Sequence, residues 1–487
     1  MRGVLLTGIA SVALAGCVAG PPPEIATAPP TLPAAFSYAP SESENTALEQ
    51  LLPVDDPAFA TLTRAAVEGS PSLLEQAARL DRALAERIGA GARRLPRIEG
   101  DASVVGTRTN PSQFGADLPQ GVAFDTTRIA YGANIAASWD PDLFGRLRAR
   151  ERAAIARARA AGADVAAVRL SLVAEIAAAV IDWRTVADRQ VALREDLVAA
   201  ETLVSLASIR TRAGIAPGFD RVRAETTAEA SRSRLAALAS EEPRIVGRLV
   251  TLTALSAQAV RNALNTDAPR SADAPAPAAL PSSLLANRPD ILAASARLAA
   301  TDADLAATAA NRFPQFTLSA ALGLLAFDLG GLFDDDAIVG SAGASLLAPL
   351  IDFGRIEAEI DAAAADKRIA FQSYRGRVFA ALGTAEEAYG LIAAADRELD
   401  TTARERASAS RAAQLAEVRF RAGLSNFLTV LDARRVADAS GERVALARGR
   451  AARARVLLWE ALGGDGIVRP DRGPDRGPDR GPDQAPD

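Results

Sequence analysis

Two long stretches of this chain carry a helical pattern of apolar residues and contain no proline. Proline is absent between Pro141 and Pro217 and again between Pro349 and Pro470, although the chain has 28 prolines. In the first stretch an apolar side chain recurs every three or four residues, which is the spacing of one helix face: Val168, Leu172, Ile176, Val180, Trp183, Ala187 and Val191. The pattern predicts one long amphipathic helix in each stretch.

Each of these helices is predicted to end at a glycine that follows an arginine. The first stretch contains Arg212-Ala213-Gly214 and the second contains Arg421-Ala422-Gly423, and a further charged, alanine-rich segment follows each motif. Glycine accepts the left-handed conformation of a helix C-terminus, and the arginine complements the helix dipole. We therefore expect each stretch to fold back into a helical hairpin. A single longer helix that tolerates the glycine is the alternative.

Upstream of each hairpin the pattern changes to strict alternation of apolar and polar residues, which is typical of β-strands. The alternation covers residues about 97–108 and 127–139 in the first half, and about 315–325 and 338–348 in the second. Segments of roughly ten residues have the length of a tilted transmembrane strand, although soluble hairpins look similar. Since spanning barrels need about eight strands or more, four membrane strands require two or three copies of the chain.

The same order of signals occurs twice along the chain, which indicates a tandem duplication. Pro71 is matched by Pro289, 218 residues later (289 − 71). Phe144-Gly145-Arg146 is matched by Phe353-Gly354-Arg355, now 209 residues later (353 − 144), and the two arginine–glycine motifs have this same separation. One local length change between otherwise ordered matches is what a duplication leaves.

The predicted organisation is therefore two structural repeats with a linker and two flanking segments. The first repeat covers 57–264, with its helical hairpin at about 142–262, and the second covers 284–465, with its hairpin at about 353–462. A Pro/Ala-rich linker at 265–283 separates them. The Pro-rich segment 17–56 favours an extended tether, and the Arg-Gly-Pro-Asp repeats of 466–487 favour a disordered tail.

The composition excludes most catalytic and metal sites. The chain has no histidine and one cysteine, so neither Ser-His-Asp nor Cys-His catalysis nor a thiolate or histidine metal centre can be assembled. No phosphate-binding Gly-Lys-Ser/Thr loop is present. The net charge of −5 disfavours nucleic acid as a partner. Only 5% of residues are aromatic, which favours helix pairs packed on Ala and Leu over a thick enzyme core. We expect no enzyme and no metal site.

The N-terminus carries a secretory signal. Arg2 precedes an apolar run from Val4 to Leu14 that is too short to span a bilayer permanently. The sequence Leu14-Ala15-Gly16-Cys17 resembles the bacterial lipobox, which implies removal of residues 1–16 and attachment of lipid to Cys17. Val18 is not the aspartate associated with retention in the inner membrane, so this resemblance implies the outer membrane. An ordinary buried cysteine is the alternative.

The chain resembles the outer membrane factor family, the TolC-like outer-membrane channels of tripartite efflux pumps, and in particular its lipoprotein branch. Besides the lipobox, the resemblance is carried over residues 57 to 465 by a series of motifs in order: Trp139 to Arg146, Leu280-Pro281, Arg288-Pro289-Asp290-Ile291, Arg312-Phe313-Pro314 and Arg419 to Gly423. It implies a mainly α fold with a membrane β-barrel part, built as a homotrimer in which each protomer contributes four strands and long antiparallel coiled-coil helices.

The resemblance also implies partners and a gate. Members work with a periplasmic adaptor (membrane fusion) protein and an inner-membrane resistance-nodulation-division transporter, and the turns at Arg212, Gly214, Arg421 and Gly423 would meet the adaptor. Family gate positions match Leu428, Asp432 and, in the first repeat, Asp220, while Arg419 and Arg421 match arginines that hold the tip shut through ion pairs. Thr429 stands where some relatives have a second acid, which predicts a less acidic gate.

Three functions follow from these observations. The first is a passive outer-membrane duct with no cofactor except the covalent lipid on Cys17. The second is an elongated helical lipoprotein scaffold of the cell envelope without a pore. The third, a membrane-anchored hydrolase that uses a carboxylate pair, finds little room for a cleft in the proline-free helices. For Asp432 a solvated helix-face carboxylate is the alternative to a gate role, and for Arg421 a capping cation.

Overall fold

The structure is a computed structural model of the chain, and it describes residues 25–28, 30–40, 47–110, 127–268 and 274–464. The signal peptide, Cys17 and the C-terminal repeats lie outside the described residues. Within them, ten α-helices and four β-strands occur. The helices are α1 (Pro57–Gly69), α2 (Pro71–Ala92), α3 (Arg146–Arg212), α4 (Gly218–Leu238), α5 (Glu241–Thr253), α6 (Ala257–Leu264), α7 (Ser283–Asn287), α8 (Pro289–Ala309), α9 (Arg355–Arg421) and α10 (Phe427–Ala461).

The four strands form one antiparallel sheet in the order in which they occur along the chain. They are β1 (Arg97–Arg108), β2 (Thr127–Trp139), β3 (Gln315–Ala326) and β4 (Ile338–Leu347). The first repeat supplies β1 and β2, the second supplies β3 and β4, and the two halves join where Ile135 lies opposite Leu322. Strands β1 and β4 are the edges, and every residue in them is exposed within the single chain.

The duplication is visible in the two longest helices. Helices α3 and α9 each have 67 residues. Their starts, Arg146 and Arg355, are 209 residues apart (355 − 146), and so are their ends at Arg212 and Arg421 (421 − 212). An aspartate stabilises each start: Asp142 accepts from the Leu147 N–H at 2.8 Å, and Asp352 accepts from the Ile356 N–H at 2.9 Å. Two helices of equal length, each following a pair of strands along the chain, indicate one structural unit used twice.

The described chain divides into two compact units. One contains Asp81–Ala160 and Ser295–Ser373, and therefore the sheet. It has a small apolar core of Leu305, Ala309, Ile356, Ile360 and Ala364. The rings of Phe144 and Phe313 stack in this unit, with centroids 4.9 Å apart.

The other unit contains Pro29–Leu80, Ala161–Ala294 and the chain from Tyr374 onward, and it has the largest core. Trp459 is fully buried in it, and Tyr389 is 1% exposed. Arg184 donates to the Asp56 carboxylate at 2.8 and 3.0 Å, which ties the start of α1 to the middle of α3. Since Asp56 is only 3% exposed, this pair holds a buried charge in place by direct hydrogen bonds.

Two segments predicted as tether and linker are partly core. Phe36, Leu51 and Leu52 are 3–5% exposed and belong to the large core, so the prediction of an extended tether as far as residue 56 was wrong. In the linker, the Pro277 carbonyl accepts from the Tyr389 hydroxyl at 2.8 Å, and the Ala274 carbonyl accepts from Arg455 at 2.8 Å. Composition missed these contacts because a few anchoring side chains and satisfied carbonyls are enough to dock a Pro/Ala-rich segment.

The buried face of α3 rotates along the helix. Leu172, Ile176 and Val180 are buried as the pattern predicted, but Ala187 and Val191, at its end, are exposed. Val186 and Leu193 are buried instead. A stripe that alternates four- and three-residue steps has a period of 3.5, so it drifts around a straight helix of 3.6 residues per turn and leaves the contact face.

Candidate gate at the helix tips

The two helical hairpins end on turns of the same geometry. Gly214 and Gly423 have φ of +71° and +74°. In the first turn the Ile215 N–H donates to the Arg210 carbonyl at 3.0 Å, and in the second the Leu424 N–H donates to the Arg419 carbonyl at 2.8 Å. This six-residue hydrogen bond, closed by a left-handed glycine, is the Schellman motif. It confirms that both helices end where the arginine–glycine motifs predicted.

Beyond the turns the hairpins differ. Helix α4 follows Pro217, which makes no side-chain hydrogen bond to the helix start. Helix α10 follows Asn426, whose Oδ1 accepts from the Thr429 N–H and from the Thr429 hydroxyl, both at 2.9 Å. Asn426 is thus a side-chain cap that the first tip lacks at the matching position, 209 residues earlier.

A small apolar cluster joins all four hairpin helices at this end, and we call it the tip cluster. Its buried members are Leu203, Ala207, Ala224, Ala416, Phe420, Phe427, Val430 and Leu431. The rings of Phe420 and Phe427 lie 5.5 Å apart, and the Arg210 guanidinium lies 4.7 Å from the centre of the Phe420 ring. The aromatic contact therefore joins α9 to α10 within the second tip, and the cation–π contact of Arg210 joins this tip to the first repeat.

The predicted gate residues lie on the exposed side of this cluster. Leu428 and Asp432 are both exposed and are one turn apart on α10, so they share a helix face. Asp220 is half-buried in the first turn of α4, where a carboxylate complements the helix dipole. At the position matching Asp432 the first repeat has Arg223, which lies 4.6 Å over the Phe219 ring. The gate role of these residues remains a prediction.

The two arginines predicted to hold the tip shut behave differently within one chain. Arg421 donates to Glu417 at 2.5 Å. Glu417 also accepts from Arg434 of α10 at 3.1 Å, and its side chain is only 16% exposed. The contact of Arg421 is therefore part of a three-residue network across the second hairpin. Arg419 is exposed at the end of α9, and its carbonyl accepts the turn hydrogen bond.

Sequence reasoning missed Glu417, Arg434, Phe420 and Phe427. The spacing of Glu417 and Arg421, four residues apart on a helix, was a usable signal. Arg434 carried no such signal, since it reaches Glu417 only through the register of two antiparallel helices. The phenylalanines stood beside the glycine motif, but their burial depends on the first repeat.

Ion pairs line the contact between α3 of the first repeat and α10 of the second. Arg453 pairs with Asp182 at 2.7 Å, Arg448 with Asp188 at 3.3 Å and Arg189 with Glu442 at 2.6 Å. The residue numbers of each pair sum to nearly the same value, as expected for antiparallel helices in fixed register. These three pairs are called the inter-repeat ladder below.

The sheet is the other candidate functional surface. Large apolar residues on its edge strands are exposed in the single chain: Ile98, Val104, Val105, Ile338, Val339, Leu346 and Leu347. An exposed apolar edge pairs readily with another strand. Among the described helices, α9 contains a window of mean hydropathy 1.2, of which 44% is buried. Core helices also contain such windows, so we assign α9 to the hairpin.

Known proteins match this arrangement over most of the chain. Residues 62–255 and 280–464, one segment in each repeat, match the family described as Outer membrane efflux protein. The chain is 30% identical to the pyoverdine export outer membrane protein OpmQ of Pseudomonas aeruginosa, over 85% of this chain and 88% of that protein. It is 28% identical to the toluene efflux pump outer membrane protein TtgI of Pseudomonas putida, over 84% and 86% of the two chains. The solved outer-membrane channel OprN has 28% identity and a TM-score of 0.82, with 92% of this chain and all of that chain covered.

Proposed function

Because the chain belongs to the outer membrane efflux protein family, we propose that this outer-membrane efflux channel is a passive duct of a tripartite pump. The observation that carries the proposal is the duplicated unit itself. One four-stranded sheet leads into two long helical hairpins, and these end on matching turns joined by the tip cluster. Such a unit offers a wall for a conduit, and the duct itself catalyses no reaction.

The duct is a homotrimer in this proposal. An open sheet edge is not tolerated in lipid, because unpaired backbone N–H and C=O groups have no water to bond. Pairing β1 of one copy with β4 of the next removes both edges. Two copies would give eight strands and three would give twelve; the resemblance stated above favours three. The exposed apolar residues of the strands then face outer-membrane lipid or the neighbouring strand.

The anchor and the partners follow from the same resemblance. Cys17, which lies outside the described residues, would carry the covalent lipid after removal of the signal. The turns at Arg212, Gly214, Arg421 and Gly423 would meet the periplasmic adaptor, which connects the duct to an inner-membrane resistance-nodulation-division transporter. The relatives named above are named for different cargoes, pyoverdine and toluene. This difference supports a generic duct whose cargo is selected by the pump.

The gate of the duct is formed by Leu428 and Asp432 on α10, with Asp220 contributed by the first repeat. Three copies of Asp432 near one axis would repel one another or attract a cation. Arg421 and Arg419 restrain this region. Arg421 does so through Glu417, since the pair ties the last turn of α9 to Arg434 of α10.

Planar-bilayer conductance tests both the duct and the gate. We expect rare openings from the native protein and a higher open probability from the double variant Asp432→Ala with Arg421→Ala. The matched control is Arg411→Ala, which removes an exposed arginine ten residues earlier on α9 and should leave the open probability unchanged. Absence of conductance from native protein and double variant alike would support the pore-free scaffold instead. Equal open probability in native protein and double variant would refute the gate.

A further inference from the structure

Two buried aspartates face each other where α3 meets α10, next to the tip cluster. Asp196 of α3 is 8% exposed and Asp438 of α10 is 6% exposed. Asp196 and Asp438 lie opposite each other in the same helix register as the inter-repeat ladder, about two helical turns or less nearer the tip than Arg189 and Glu442. Every rung of the ladder joins opposite charges, whereas this position joins two carboxyl groups.

Hydrogen bonding at this position requires a proton. The side chains of Asp196 and Asp438 lie within hydrogen-bonding reach of each other. Two ionised carboxylates only accept hydrogen bonds, so a hydrogen bond between them forms only when one of them carries a proton. In addition, Asp196 Oδ2 is buried and accepts no hydrogen bond from any described residue. An ionised carboxylate with such an oxygen would be costly to bury, and a shared proton removes that cost.

The charged groups around the pair do not neutralise it. Arg234 of α4 lies near both aspartates, but its Nη2 donates to the Ser231 hydroxyl at 3.3 Å. Arg434 of α10 lies near Asp438 but donates to Glu417 of α9. Glu195, beside Asp196 on α3, adds negative charge and pairs with Arg406 of α9 at 3.6 Å. Arg434 Nε is buried without a hydrogen-bond partner among the described residues, but neither arginine forms an ion pair with either aspartate, so the two carboxyl groups face each other without a bonded cation.

We propose that Asp196 and Asp438 form a proton-binding site that holds α3 and α10 together beside the tip cluster. One shared proton closes the contact, and its release leaves two buried negative charges that push the helices apart. The ligand is a proton; an alkali or divalent cation between the carboxylates is the competing occupant. The effect on the channel tip rests on the proposed function, whereas the binding of the proton does not.

The electrostatics of the pair agree with this geometry. Burial, followed by the charge of Asp438, raises the pKa of Asp196 to about 7. Burial likewise raises the pKa of Asp438 to about 6, against the lowering influence of Arg434 and Arg234. The folded protein thus keeps a proton at a pH where an unfolded aspartate has lost it. Since the pKa of an unfolded aspartate is about 3.9, the contact is most stable below about pH 4 and loses this stability as the pH rises through the folded pKa of Asp196, about 7.

Infrared difference spectroscopy on the full-length protein tests the site without reference to transport. A protonated carboxyl group has a C=O band that a carboxylate lacks. We expect this band to disappear between about pH 5 and about pH 8, with a midpoint near the pKa values given above. Glu460 and Asp182, which are partly buried, also have a raised pKa, so the signal is taken as the difference between native protein and variants.

Two isosteric variants and one control assign the band. Asp196→Asn and Asp438→Asn should each remove it, because the amide donates the hydrogen bond that the proton otherwise supplies. Glu201→Gln, which removes a half-exposed carboxylate of the same helix that pairs with Arg232, should retain it. A band that persists unchanged in both asparagine variants would overturn the proposal.

The mechanical consequence is measured with spin labels at Val198→Cys and Val436→Cys, two exposed positions in the register of the pair. The distance between the labels should lengthen from about pH 5 to about pH 8 in otherwise native protein and stay constant when Asp196→Asn is added. A distance that instead follows sodium or calcium concentration at fixed pH would show a cation in the site and refute the proton. If the infrared band disappears as the pH rises but the protein conducts no ions in a planar bilayer, the proton-binding site stands and the proposed channel function is refuted.

Discussion

The two helical tips share one turn and differ in what holds them. Both close on a Schellman motif with a left-handed glycine. At the second tip Asn426 caps α10, Phe427 is buried against Phe420, and four ion pairs join α9 to α10 along the hairpin. At the first tip Pro217 offers no cap, and Phe219 is 62% exposed. Within the described residues two ion pairs, Arg232–Glu201 and Arg248–Glu175, join α3 to α4 and α5, which together correspond to α10.

This difference shows which features of a duplicated tip survived and which diverged. The turn is fixed by backbone geometry, so it persists in both copies. The side-chain cap and the buried pair of phenylalanines occur in the second copy alone among the described residues. The second hairpin therefore has more contacts of its own than the first, although its phenylalanines also pack against the first repeat.

The largest expected effect comes from removing the aromatic contact of the second tip. Phe427→Ala should destabilise that tip by about 3–5 kcal/mol, because it removes a buried ring from the tip cluster. Amide hydrogen exchange over residues 415–435 measures the loss as faster local opening. The matched control is Phe219→Ala at the first tip, where loss of the exposed ring and its contact with Arg223 should change the free energy of local opening by no more than about 1 kcal/mol. Equal changes in hydrogen exchange for Phe427→Ala and Phe219→Ala would contradict the proposed difference in packing between the two tips.

The next effect should be the same at both tips. Gly214→Ala and Gly423→Ala should each cost about 1–2 kcal/mol, because alanine resists the left-handed conformation. A methyl group would meet nothing within 4 Å at either position, so packing adds nothing to the cost. Chemical denaturation of the two variants provides the comparison. Unequal losses of unfolding free energy would mean that the two turns, although alike in geometry, contribute differently to stability.

The cap of α10 should contribute less. Asn426→Ala removes the acceptor of the Thr429 N–H and should cost about 1 kcal/mol, measured by hydrogen exchange of the first turn of α10. Asn426→Asp keeps an acceptor at this position and serves as the control. If alanine and aspartate weaken the tip equally, the cap does not explain the stability of the second tip.

The smallest effect is expected from salt. Arg443–Glu405 and Arg450–Glu398 of the second hairpin are partly exposed, and pairs of this kind contribute roughly 0.2–1 kcal/mol each. Raising the ionic strength should therefore weaken the second hairpin slightly more than the first. Hydrogen exchange at low and high salt measures the shift. If high salt speeds hydrogen exchange more in the first hairpin than in the second, the exposed ion pairs do not account for the difference between the hairpins.

Much of the fold was accessible from local patterns in the sequence. The glycine motifs marked the ends of α3 and α9 because a left-handed glycine terminates a helix within a few residues. Alternation marked the four strands for the same reason, since a period of two is a local property. Phe36 and Leu51 were missed because their burial depends on a core assembled from distant segments.

The site was accessible only in part. The tip motif predicted the positions of Arg421 and Asp432. Arg434, which shares Glu417 with Arg421, could not be predicted because its contact depends on the register of two helices. Asp196 and Asp438 are 242 residues apart (438 − 196) and belong to different repeats, so no spacing in the sequence relates them. Contacts between repeats are set by packing, which local patterns do not record.

The most direct test of the whole account is the native mass of the full-length protein after extraction from the outer membrane in detergent. The account predicts one species of three chains, roughly 150 kDa from three times the 50.5 kDa of the chain, changed only by loss of the signal and addition of lipid. A stable monomer would leave the edges of the sheet unpaired and would contradict the channel.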